Sequence, residues 1–197
     1  MTNKRALQIL LAWFVTAAIL VWAGALRLFG PPFPQLVLVS LILILALAYA
    51  FRPSFRRWLG GLPSRPILIL NLSRFIGAYF LVLYGRGELP YAFAVLGGWG
   101  DIVVASVALA LIIVFRGGPP VRSAPLQMWN LIGLADIVFV VATAAQAASA
   151  VSGAMNPLLE LPLGLLPTFL VPLLIFTHGV LLLRGTRAER LSNRADR

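Results

Sequence analysis

Cysteine is absent from this chain, histidine occurs once, and only six of its 197 residues are acidic. Without thiols there are no disulfides, no thiolate nucleophile and no cysteine-ligated metal, and the redox compartment is left open. A single imidazole is too few ligands for an ordinary haem or zinc centre and supports no serine-histidine hydrolase, so no cofactor or metal is expected. Charge of either sign is scarce, at 11% of residues against 60% hydrophobic, a balance far from that of soluble globular domains. The fold class this predicts is an all-α integral membrane protein.

What is present is a series of apolar runs. Crossing about 30 Å of hydrocarbon takes about 20 apolar residues in a helix, and stretches of that kind lie near 6–29, 35–51, 66–84, 91–115, 125–148 and 162–184. The breaks between them, such as "GPPFPQ", "RPSFRRWLGGLPSRP", "GRGELP" and "RGGPPVRSAP", are rich in turn-forming residues. A six-helix bundle forming one transmembrane domain over 1–197 follows, with 185–197 as a short basic tail that frays or lies along anionic headgroups. Lys4 and Arg5, an apolar stretch and "AGA" at 23–25 also fit a cleavable signal peptide, which would leave five spans.

The net charge of +10 is dispersed among connectors, with no basic stripe interleaved with aromatics, so it points to membrane orientation and not to nucleic acid. Cytoplasmic connectors carry the excess of Lys and Arg. With the amino terminus inside, 13 of the 16 basic residues fall on the cytoplasmic side, leaving Arg27, Arg74 and Arg86. Tyr84 and Tyr91 then sit near helix ends on the far side, as interfacial rings prefer. Both termini are expected in the cytoplasm of a bacterial-type inner membrane. The expected partners are the bilayer, its anionic headgroups, and a second copy or another membrane protein.

Several polar residues fall inside these runs. At about 1.5 Å per residue, Asp101 lies about 15 Å from the far face and Asp136 about 16 Å from the cytoplasmic face. Arg74 lies about 12 Å, and Asn71, Asn130 and His178 about 8 to 9 Å, from that same cytoplasmic face. An ionised side chain facing lipid at such depth costs about 2.5–3.5 kcal/mol or more, so these residues should face inward and meet. The sequence predicts a buried cluster of Arg74, Asp101 and Asp136, flanked by Asn71, Asn130 and His178. Ala94, Gly98, Ala105 and Ala108 form a small-residue strip beside Asp101 that lets a neighbouring backbone approach. Two carboxylates against one guanidinium leave a surplus negative charge. A proton on one Asp, a proton on His178 or a bound cation would neutralise it.

The last run, "LPTFLVPLLIFTHG", holds Pro167 and Pro172. Each proline removes a donor and frees the carbonyl four residues earlier, those of Leu163 and Thr168, which makes Thr168 a candidate site-lining residue.

Gly98-Trp99-Gly100-Asp101 matches G-x-G-D and resembles the active-site motif of the intramembrane aspartyl proteases, presenilins and prepilin peptidases among them. The resemblance covers four residues and implies a second aspartate on another span, a role Asp136 could fill, with the two carboxylates activating water on an amide. Here the second aspartate follows the motif, whereas that family places it before, and the proline-alanine-leucine element of presenilins is missing. Three functions therefore stand at this point. The leading one is proton- or ion-linked transport or binding of a small solute at Asp101, Asp136, Arg74, His178, Asn130, Asn71 and Thr168. The alternatives are an intramembrane aspartyl hydrolase and a non-catalytic subunit whose cluster only orders the helices.

Overall fold

A computed structural model describes residues 1–28 and 32–195, with side chains described through Thr186. Among the described residues every regular element is helical. Six helices are long and apolar enough to cross a membrane: Asn3–Trp22, Phe33–Phe51, Ser64–Gly85, Ala92–Val114, Ala124–Ala150 and Leu166–Thr186, numbered here as spans one to six. They suggest a membrane protein. Apolar side chains such as Leu7, Leu43, Trp99, Ile113 and Leu131 cover the outside, as hydrocarbon-facing surfaces do.

The boundaries fall close to those expected, with three differences. Span one stops at Trp22 and restarts as the short helix Ala25–Leu28, because Gly24 takes a positive φ of 77° that breaks the ladder. Span six starts four residues later than its hydropathy, after a turn through Pro162. Its backbone then runs on as helix to Ala195. Of the basic tail, the side chains of Arg187, Arg190 and Arg194, and Arg197 entirely, lie outside the described residues.

The connector "RPSFRRWLGG" is not irregular but a helix, Pro53–Gly61, with proline at its first position and a one-sided apolar face. Leu59 is buried there against Phe176 and Val180 of span six, and Phe55 stacks on Phe176 at 6.0 Å. Arg56 and Arg57 stay exposed.

Spans three, four, five and six pack into the central bundle, and spans one and two lie against span six. Contacts between connectors define the two ends. Trp58 donates to Asn3 Oδ1 at 2.8 Å, and Ser64 and Arg65 donate to the carbonyls of Pro119 and Arg116, which gathers the amino terminus and two connectors at one end. At the opposite end Arg27 pairs with Glu160. Two apolar clusters fill the bundle. Phe80, Leu83, Phe93, Val140 and Leu166 lie toward the opposite end, and Ile67, Leu68, Val104, Leu126, Trp129 and Leu181 toward the terminal end. Along spans three, four and five the polar residues fall between these two layers.

Candidate functional site

The stretch "GGWGD" seats two neighbouring helices at once. Gly98 meets Gly77 of span three so closely that a Cβ on Gly98 would lie 2.8 Å from the Gly77 carbonyl oxygen, and one on Gly77 would lie 2.9 Å from Asp101 Cβ. On the next face a Cβ at Gly97 would meet Val140 Cγ2 at 2.9 Å, and one at Gly100 would collide with the carboxylate of Asp136. Trp99, between them, faces outward. Small residues let helices close to backbone contact where apolar solvent gives no hydrophobic drive. Here that closeness decides which polar groups can touch.

Arg74 is carried on a tightened 3₁₀ segment, Leu72–Ile76, inside span three. Local side chains explain the tightening. Asn71 Nδ2 donates to the Ile67 carbonyl at 2.9 Å and Ser73 Oγ to the Leu70 carbonyl at 2.6 Å, so both compete with the α-helical ladder. The guanidinium points across the Gly77–Gly98 crossing and is almost fully buried. Its Nε donates to Asp101 Oδ1 at 2.6 Å, its Nη1 to the Gly133 carbonyl at 2.9 Å, and its Nη2 to Asp136 Oδ2. One arginine thus joins spans three, four and five. Each carboxylate bonds the guanidinium and not the other carboxylate.

Asn71, Asn130 and His178 form a second group toward the terminal end. His178 Nδ1 lies 2.8 Å from Asn130 Oδ1 and its Nε2 3.2 Å from Asn71 Oδ1. Asn130 Nδ2 returns a bond to the His178 carbonyl at 3.1 Å. This ring touches amides and no carboxylate, so it ties spans three, five and six without joining the ion triad. Gly133 is the seam between the groups. Its carbonyl serves Arg74, while a Cβ there would lie 2.8 Å from His178 Cε1. Trp129 backs the ring at 5.2 Å and donates to the Val104 carbonyl at 3.0 Å.

Thr168 stands apart. Its hydroxyl donates to the Gly164 carbonyl at 2.7 Å, and its own carbonyl, freed by Pro172, accepts from Trp13 Nε1 of span one at 2.9 Å. The loss of a backbone donor is met by an indole. Of the seven residues singled out in the sequence, six converge in two adjoining groups and Thr168 does not join them.

A cavity of about 380 Å³ leads toward the triad from the end opposite the termini. Arg74 and Asp101 line it, together with Phe80 and Phe93, Gln35 and Leu38 of span two, and Val140 and Ala144 of span five; Arg27 and Asn156 also line it. It adjoins two π-helical stretches, Ala92–Gly97 and Leu166–Leu170, the second containing Pro167. Their widened turns interrupt regular helix packing. Gln35, Phe80, Phe93 and Gly77 carry no sequence signal that separates them from other span residues; only their position reveals them. Among the described residues no three His, Asp or Glu side chains converge as metal ligands.

Fold and site together define an all-helical bundle with membrane-length spans and a buried arginine–aspartate triad at the end of a cavity. Residues 31–184 match the model of a domain of unknown function, DUF8737, and the chain belongs to that family. The match takes in spans two to five, span six as far as Arg184, and the whole polar cluster. No curated protein and no solved structure matches the chain.

Proposed function

We propose that this protein is a small cytoplasmic-membrane transporter of bacterial type, both termini inside, that moves a small solute linked to a proton or cation through the Arg74–Asp101–Asp136 triad. The observation that carries the reading is that Arg74 and Asp101, almost wholly buried, also line the cavity. Intramembrane ionisable groups that meet a cavity are the usual marks of a solute or proton path. Two carboxylates share one guanidinium, and the surplus negative charge needs a proton or a cation to neutralise it. Asn71, Asn130 and His178 continue the polar path toward the terminal end. The orientation rests on the arginines 52, 56, 57, 65, 116 and 122, which lie on connectors at the end of the amino terminus.

The aspartyl-protease resemblance gains no support from this geometry. Such a mechanism needs two carboxyl groups sharing a proton, whereas each carboxylate here is held by Arg74.

The test is proton flux into phosphatidylethanolamine–phosphatidylglycerol vesicles holding the full chain and a pH-sensitive dye. Under an imposed gradient the wild type is expected to carry protons, and Asp101→Asn and Asp136→Asn to reduce the flux to that of empty vesicles while remaining monodisperse. Wild-type flux equal to that of empty vesicles across a panel of small solutes, for protons and, with a sodium-sensitive dye, for sodium, overturns the reading. If both variants instead lose folded protein in step, the cluster belongs to helix ordering.

A further inference from the structure

We infer that the molecule recognised in this cavity is a small organic cation, an apolar body carrying one ammonium head, a substrate class that rests on the transport reading above. The head group is set by the polar atoms that face the cavity. All three guanidinium nitrogens of Arg74 are engaged, by Asp101, the Gly133 carbonyl and Asp136. The other arginine on the lining, Arg27, is paired with Glu160. Both guanidinium charges already face carboxylates, and an anionic head would add to the surplus negative charge at the triad.

The acceptors are different. Asp101 uses Oδ1 for Arg74, and its Oδ2 takes no hydrogen bond among the described residues. Gln35 Oε1 is buried with no partner. Both residues line the cavity, Asp101 from span four and Gln35 from span two. A buried acceptor left without a donor, as at Gln35, is costly, and a ligand that brings N–H groups satisfies it and the Asp101 oxygen that faces the cavity without one. The sign of the head follows from the triad, where two carboxylates face one guanidinium. The body follows from the walls. Phe80 and Phe93, with ring centroids 5.0 Å apart, stand with Leu38, Ile137, Val140 and Leu170 around the volume. Aromatic faces hold cations as well as apolar groups, and a space of about 380 Å³ is at the small end of ligand pockets.

The test uses three probes of one shape and different charge, benzylammonium, benzyl alcohol and benzoate, titrated calorimetrically into the full chain in detergent. Benzylammonium is expected to bind at least about tenfold more tightly than benzyl alcohol, as for a charged hydrogen bond, with benzoate weakest. Asp101→Asn is expected to bring ammonium and alcohol to similar affinity. Gln35→Leu, which leaves the triad intact, is expected to weaken benzylammonium severalfold with no loss of unfolding temperature. Equal affinities, a preference for benzoate, or no binding of any probe overturns the assignment. Proton flux in vesicles is scored separately. Flux with no ammonium preference removes this substrate class alone, and ammonium preference without flux removes the transport reading alone.

Discussion

Arg74 is the residue on which the centre depends, because its three bonds tie its own span to two others. Removing it leaves two buried carboxylates facing each other with no cation, and breaking a buried pair in this way costs about 3–5 kcal/mol. Arg74→Met is therefore expected to lower the thermal unfolding temperature in detergent sharply. Adding Asp101→Asn and Asp136→Asn to it should recover much of the loss, because the unpaired charges are then gone. Arg74→Lys keeps the charge but offers a point ammonium in place of a fork, so it cannot reach all three acceptors. It should fall between wild type and Arg74→Met. The aspartates and the arginine were legible in the sequence as charges too deep to face lipid. Their exact partners were not, since depth along a helix says nothing of which neighbour stands opposite.

At the scale of elements, departures from the regular α-helix place the site. The 3₁₀ segment Leu72–Ile76 aims Arg74, and the π-helical stretches of spans four and six adjoin the cavity. Proline in span six was visible as a break in donors, and Thr168 was expected to face a site because its carbonyl needed a partner. The partner proves to be Trp13. Trp13→Phe should cost about 1 kcal/mol by stranding that carbonyl. Restoring a backbone donor with Pro172→Ala should make the same change at Trp13 nearly neutral, a coupling that a double-mutant cycle on unfolding measures. The helix Pro53–Gly61 was hidden within a run of Pro, Gly and Arg, since nine residues are too few for a hydropathy signal of a span. Its one-sided pattern emerges only against Phe176 and Val180. The Gly77–Gly98 crossing belongs to this scale too. Gly98→Leu should separate spans three and four and abolish the Arg74–Asp101 contact, seen as loss of a folded, monodisperse peak.

For the whole molecule, the two ends differ in charge. Basic connectors gather with the amino terminus, while the opposite end carries Glu88 and Glu160 alongside Arg27 and Arg86. Because cysteine is absent, single cysteines can be placed without background. In intact cells Ser54→Cys and Gly117→Cys, both at exposed positions, are expected to resist a membrane-impermeant maleimide, and Glu88→Cys and Asn156→Cys to react. The reverse pattern inverts the orientation and places the cavity mouth in the cytoplasm.

Six spans, their order and the inventory of polar residues confined among them were determined by the sequence alone, because the energy of moving charge and apolar surface between water and hydrocarbon depends on composition and spacing. Only the tertiary structure decided that Arg74 binds both aspartates, that His178 lies with the amides, that Thr168 turns to span one, and that a cavity ends at the triad. Those outcomes depend on how closely Gly77, Gly98, Gly100 and Gly133 let helices approach and at what rotation. Contact is a property of pairs of helices, and no single span carries it.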